Sequence, residues 1–186
     1  MAGHADTIEF RKATPRDAVA IGGLHVASWR ETYAGLLPGE LLDALSAEAR
    51  AAMWSEVLSD PVTYAGTAVF VADSAGTIVG FGACGGQRDA VLARRGFHAE
   101  VGAFYILRSH QRQGLGRSLM NLMARHLLGH GWTAATLWVL RENGPARQFY
   151  EKLGGAIIGE REENQFGVSL SEVAYGWTDL SSVVRQ

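Results

Sequence analysis

The sequence predicts an α+β fold: one domain over residues 1–186, with a mixed, mainly antiparallel central sheet flanked by helices. Three observations point there. Strand-like runs follow one another through the middle and end of the chain, with short turns between several of them. A glycine-rich loop, "QRQGLGRSLM" at 111–120, joins a strand-like run to a leucine-rich helical run. No linker or shift in composition divides the 186 residues, a length that suits one domain.

The elements follow in order. Ile8 and Phe10 alternate with charged residues, so "TIEFRKA" (7–13) reads as a strand. Thr14, Pro15 and Asp17 then supply an N-cap, a first helical residue and the acidic third position of a capping box. Ile21, Leu24, Ser28 and Thr32 repeat at helical spacing, which carries this helix to about Tyr33. "GLLPGELLDAL" and "SAEARAAMWSEVL" read as two more helices. Strands are expected over 67–73 and 76–86, joined at Ser74-Ala75-Gly76, and over 99–107 after a polar loop. Leu115, Leu119, Leu122, Met123 and Leu127 mark one face of a helix that begins near Gly114. "TAATLWVL" (133–140) is a strand, and "GPARQFYEKLGG" (144–155) a helix with Pro145 at its start and Gly154 at its C-cap. "AIIGERE" and "SLSEVAYGWTDL" close as antiparallel strands.

Composition excludes several function classes. A net charge of −2 leaves no general electrostatic footprint for nucleic acid. The single cysteine, Cys84, rules out an intrachain disulfide and a CxxC site. The start, "MAGHADTIEFRK", is polar, and no stretch approaches the ~18 apolar residues of a membrane span. A cytoplasmic protein is expected, with neither nucleic acid nor membrane as partner. His126 and His130 are spaced i, i+4, but the glutamate of a zinc HExxH helix is missing, so no metal is expected.

The glycine loop is the informative stretch. A helix start presents unpaired N–H groups and about half a positive charge. Glycine lets backbone approach an anion, and Arg112 and Arg117 add charge-assisted donors. The Walker loop needs a Gly-Lys-Ser/Thr ending that is absent. The dinucleotide fingerprint needs glycine where Leu119 stands. Gln111-Arg112-Gln113-Gly114-Leu115-Gly116 fits a third pattern, Gln/Arg-x-x-Gly-x-Gly/Ala, at every fixed position.

The stretch "FYILRSHQRQGLGRSLM" resembles the acetyl-coenzyme A motif of the GCN5-related N-acetyltransferases, the GNAT family. "LWVLRENGPARQFYEKLGG" is similar to the second half of that family's site, and the order of predicted elements also matches. The resemblance implies a GNAT-like fold and acetyl-CoA as cosubstrate. It implies direct transfer of the acetyl group to a primary amine of a small molecule or peptide, without an acyl-enzyme. A homodimer is the assembly it implies. The cofactor loop then comprises Gln111, Arg112, Gln113, Gly114, Leu115, Gly116, Arg117 and Ser118, with backbone groups of Ile106 and Leu107 beside them. Asn143 and Ala146 are expected on the coenzyme A arm, although Asn143 also suits an Asn-Gly turn.

Acetyl transfer sets two proton problems. An alkyl amine of pKa near 10.4 is protonated about 2,500 to one at pH 7, which costs ~4.6 kcal/mol of nucleophile. The leaving thiolate needs a proton donor. The resemblance makes Tyr150 the candidate acid and Glu100 the candidate base; a core tyrosine and a solvated strand-end charge are the plain alternatives. His25, Trp29 and Tyr33 recur along one side of the first long helix and resemble the family's acceptor side, though packing also explains such a stripe. Relatives usually carry an aromatic residue where this chain has Gly155. Two other functions fit the same residues: an acyl-CoA sensor without catalysis, and an acyltransferase using a longer acyl-CoA.

Overall fold

The computed structural model describes residues 7–165 and 167–185, so the polar stretch through residue 6 lies outside the described residues. The described strands form one seven-stranded sheet in the order β1-β2-β3-β4-β5-β7-β6. They are β1 (Ile8–Lys12), β2 (Ala68–Ser74), β3 (Thr77–Gly86), β4 (Ala99–Ile106), β5 (Ala135–Leu140), β6 (Ala156–Gln165) and β7 (Val168–Trp177). Every neighbouring pair is antiparallel except β4 and β5. The sheet is therefore mixed and mainly antiparallel, as the sequence predicts.

Helices cover both faces. On one side lie α1 (Ala18–Tyr33), α2 (Gly39–Asp43) and α3 (Ala47–Ser59). Ile21 and Leu24 of α1 and Trp54 and Val57 of α3 pack there with Val71 and Phe81. On the other side lie α5 (Leu115–Gly129) and α6 (Gly144–Lys152). Their Leu119, Met123, Leu127 and Tyr150 join Leu137, Val139, Val173 and Tyr175 of the sheet. The leucine and methionine positions read from the sequence form that buried face, apart from the half-buried Leu122.

Some boundaries differ from the sequence reading. Pro15–Asp17 forms a separate 3-10 turn before α1. Asp17 accepts from the Thr14 amide at 2.7 Å and pairs with Arg11 at 2.8 Å, so it serves β1 as well as the helix start. The expected polar loop after β3 holds a short helix, α4 (Ala90–Arg94), capped by Asp89 and anchored by Leu92. A final turn, α7 (Ser181–Val184), packs on α5. The strand read from 133 begins at Ala135, because the Thr133 carbonyl accepts from Leu180 at the end of the chain. Among the described residues no helix is long and apolar enough to cross a membrane.

One irregularity positions the site. The register between β3 and β4 steps from Cys84↔Val101 to Ala83↔Ala103, which leaves Gly102 unpaired in a bulge. Such an extra residue bends its strand and re-aims its side chains. Before it, Ala99 and Val101 join the α5 side; after it, Phe104 packs on that side while Ala103 and Tyr105 turn to α1 and α3. β4 and β5 pair only at Ala99↔Ala135 and Glu100↔Thr136, and then part.

Gly155 has a packing reason. A Cβ there would stand 2.7 Å from Trp177 Cζ2 and 3.0 Å from the Tyr150 carbonyl. Trp177 occupies that space and donates its indole N–H to the Leu153 carbonyl at 2.8 Å. An aromatic ring supplied from β7 thus stands where residue 155 has no side chain. Gly155→Ala is expected to cost about 1–3 kcal/mol by overpacking, measured as a lower urea midpoint at unchanged slope. Gly129→Ala, at the end of α5 with nothing within 4 Å of the new methyl, should instead raise stability by about 0.5–1 kcal/mol.

Candidate active site

Where β4 and β5 part, a cavity of about 780 Å³ opens, lined by residues from both faces of the sheet. On the α5 and α6 side its wall includes Phe104, Ile106, Phe149 and Tyr150; on the other side it includes Trp29, Tyr33, Tyr105 and Trp138. Neighbouring strands normally consume each other's N–H and C=O groups. Beyond Glu100, β4 has no strand partner on its β5 side, so alternate backbone groups there face the gap.

The glycine loop closes one end. The Leu107 N–H donates to Val79 at 3.0 Å and its carbonyl accepts from His110 at 2.8 Å, so its backbone is already engaged. Its side chain packs on the α1 and α3 side. Gln111 donates to the Ile106 carbonyl at 2.9 Å, and Gln113 to the Ser109 carbonyl at 3.2 Å. Both side chains shape the loop. Arg112 (φ 63°) and Gly114 (φ 87°) take left-handed conformations, which only glycine adopts without strain.

Gly114 is the N-cap of α5 and has no side chain with which to cap it. The first-turn amides of α5, from Leu115 on, therefore have no capping side chain and no acceptor within the helix. The Leu115 side chain is buried in the core, and the Ser118 N–H turns back to Gly114 at 3.1 Å. Gln111, Arg112, Gly114, Gly116 and Arg117 line the cavity. Gly116 has a reason that the sequence does not show. A Cβ there would meet Phe149 Cζ at 3.0 Å and Ile106 Cδ1 at 3.5 Å, so it allows α6 to press against α5.

Asn143 and Ala146 also line the cavity. Asn143 is the N-cap of α6 and accepts from the Ala146 amide at 3.3 Å. Tyr150 is 5% exposed and sits among the rings of Phe104, Phe149, Tyr175 and Trp177 while still reaching the cavity. Burial pushes its phenol above the ordinary value, so it holds its proton through neutral pH.

Glu100 lines the same cavity at 9% exposure, and Arg88 binds its carboxylate as an ion pair. The remaining acceptor-side candidates divide. Trp29 and Tyr33 line the cavity with their rings edge to face at 5.0 Å, and Trp29 donates to the Tyr105 hydroxyl at 3.0 Å. His25 is not among the lining residues. It lies behind Tyr105, rings stacked at 4.8 Å, and its Nδ1 accepts from Trp54 at 3.1 Å. Tyr105, Trp138, Arg161 and Glu172 also line the cavity, although the sequence reading assigns none of them to the site. The bulge and the pairing of β7 between β5 and β6 bring them there, so local spacing carries no signal for them.

Comparison with known proteins decides the family. A model of the acetyltransferase (GNAT) family matches residues 25–155. The chain belongs to the GNAT family of acetyltransferases. It is 34% identical over 178 residues to the uncharacterized N-acetyltransferase YuaI of Bacillus subtilis, covering 95% of this chain and 96% of that one. It is 29% identical over 156 residues to the probable N-acetyltransferase Rv2775 of Mycobacterium tuberculosis, covering 82% of each. The GNAT fold also matches the PaiA N-acetyltransferase of Thermoplasma acidophilum, solved in complex with coenzyme A. The TM-score is 0.69 at 20% identity, over 90% of this chain and 98% of that one. YncA of Salmonella typhimurium, solved with acetyl-CoA, matches with a TM-score of 0.67 at 20% identity over 94% of each chain.

Buried His25 makes a stability prediction for this GNAT protein. Burial, then the nearby Arg50 charge, lowers its pKa from 6.5 to about 4. Between those values the unfolded chain binds more protons than the folded one, so stability rises with pH. The contribution is fully present above about pH 6.5 and is lost as pH falls toward 4. His25→Leu should flatten that part of the stability-against-pH curve in urea titrations; an unchanged acid limb would show that His25 is not its source.

Proposed function

We propose that this protein transfers the acetyl group of acetyl-CoA to a primary amine of a small molecule or peptide by direct attack. One observation carries the reading: the parting of β4 and β5 joins an uncapped helix start on one face to an aromatic pocket on the other. The residues fit the cosubstrate. The first-turn amides of α5, with Arg112 and Arg117, suit a pyrophosphate. The unpaired side of β4 offers backbone partners to an amide-bearing arm, and Asn143 and Ala146 lie along the same cavity.

Acetyl-CoA supplies an activated thioester, and the chain supplies positions for the proton transfers. Cys84, the single cysteine, is 1% exposed in the core, which suits direct attack rather than an acyl-enzyme. Tyr150 keeps a protonated phenol at the cavity wall and is the proposed donor to the departing thiolate. Glu100 is the proposed sink for the amine proton, received through water because Arg88 already occupies its carboxylate. Trp29 and Tyr33 form the proposed acceptor wall, and His25 supports it from behind through Tyr105.

The deciding assay follows free thiol released from acetyl-CoA on addition of alkyl amines, aralkyl amines, amino acids and peptide N-termini. Amine-dependent release is expected; coenzyme A binding with no release from any amine would favour a sensor. Tyr150→Phe keeps the ring and should lower kcat by about 10²–10⁴ with KM for acetyl-CoA little changed. Full kcat with chemistry rate-limiting would return Tyr150 to a packing role. Glu100→Gln should lose more activity at low pH than at high pH, because a rising fraction of free amine makes a proton sink unnecessary. Equal activity at every pH would remove it from the mechanism.

A further inference from the structure

The acceptor face carries a second carboxylate with its own partners. Glu172 of β7 stands in register with Leu140 of β5 and Arg161 of β6, and it lines the cavity. Arg161 binds Glu172 at 2.7 Å through Nε and Glu163 at 2.6 Å through Nη2. The same guanidinium lies 4.2 Å from the centre of the Trp138 ring. Arg161 thus pairs with both carboxylates, and when both are ionised the one guanidinium leaves the cluster with one negative charge in excess. The walls beside it are aromatic or apolar: Trp29, Tyr33, Leu37, Tyr105 and Leu140.

We infer that Glu172 docks the ammonium group of the acceptor, and that the acceptor is a primary amine carried on an apolar body. The fate of that amine after docking rests on the acetyl-transfer reading. Ring faces attract cations, and an excess carboxylate among them gives an ammonium a hydrogen-bonded partner. A substrate carboxylate would find Arg161 already paired and would meet Glu172 beside it. The other cavity-lining arginines are placed elsewhere: Arg88 on Glu100, Arg108 on the Glu31 carbonyl, and Arg112 and Arg117 at the glycine loop. Burial, aided by Glu163 and opposed by Arg161, pushes the Glu172 carboxyl up, so an arriving cation relieves an unfavourable charge. Glu172 also helps to raise the phenols of Tyr33 and Tyr105, whereas Glu100 does not enter for either.

The test uses 2-phenylethylamine and its uncharged counterpart 2-phenylethanol, titrated into the full chain by calorimetry with and without coenzyme A. The amine should bind and the alcohol bind at least about tenfold more weakly, the difference expected of a charged hydrogen bond. Glu172→Gln should weaken the amine by about 10- to 100-fold and leave the alcohol unchanged. Glu160→Gln, on an exposed pair with Arg141, should change neither. Equal binding of amine and alcohol, binding of neither in both states, or an unaltered Glu172→Gln protein would overturn the inference. The alcohol comparison on the unmodified protein still decides if the variant fails to fold. Coenzyme A binding is read in the same titrations, so its loss counts against the acetyl-transfer reading alone.

Discussion

Two parallel strands that pair at Ala99↔Ala135 and Glu100↔Thr136, and then separate, set the conditions for everything else in this structure. A sheet normally divides one face of a protein from the other. Here the bulge at Gly102 bends β4, leaves its outer backbone without a strand partner and makes the sheet permeable at one place. Unpaired backbone in a protein interior is costly. The lined cavity leaves room for solvent or a bound partner to satisfy those groups. Gly102 also leaves room for Arg88, since a Cβ there would stand 2.9 Å from that guanidinium. One residue thus serves both the bend and the ion pair that holds Glu100.

The two ends of the cavity use different physics. The glycine-loop end relies on backbone: an N-cap without a side chain, left-handed residues at 112 and 114, and glutamines that tie the loop to itself. The aromatic end relies on desolvation. Burial raises the phenols of Tyr33, Tyr105 and Tyr150, so three hydroxyls stay protonated around one space. In such surroundings a single carboxylate is felt strongly. Glu31 links the ends, since its side chain accepts from the Arg108 amide at 2.8 Å and so ties α1 to the turn before the glycine loop.

Tight packing holds α6 in place. α6 is only nine residues long, too short to be stable alone. Phe149 lies against the bare face of Gly116, Trp177 fills the space beside Gly155, and Tyr175 donates to Glu151 at 2.6 Å. These contacts fix the direction of Tyr150 from three sides. Glycine at 116 and 155 is therefore explained by neighbours distant in sequence, and spacing alone assigns the first of them to the ligand.

Periodicity and capping chemistry made much of the fold legible in the residues. The alternation in β1, the leucine face of α5, Pro145 at the start of α6 and Gly154 (φ 81°) after its end are local signals, and the chain obeys them. The loop 111–116 was legible for the same reason, because its turn and the helix start after it are written in consecutive residues. What the sequence could not state is which distant side chains share a space. Gly102 reads as an ordinary strand glycine until its pairing with β3 is known. His25 and Trp29 look equivalent at helical spacing, yet the sheet buries the first behind Tyr105 and exposes the second to the cavity. Glu172 and Arg161 lie in what reads as a plain hairpin; insertion of β7 beside β5 turns them to the site. Sequence by itself determined the long helices, their caps and the glycine loop, because those hydrogen bonds close within a few residues, and alternation marked where strands lie. Tertiary structure alone decided the aromatic side of the cavity, because its charges and rings come from elements that meet only when the sheet is assembled.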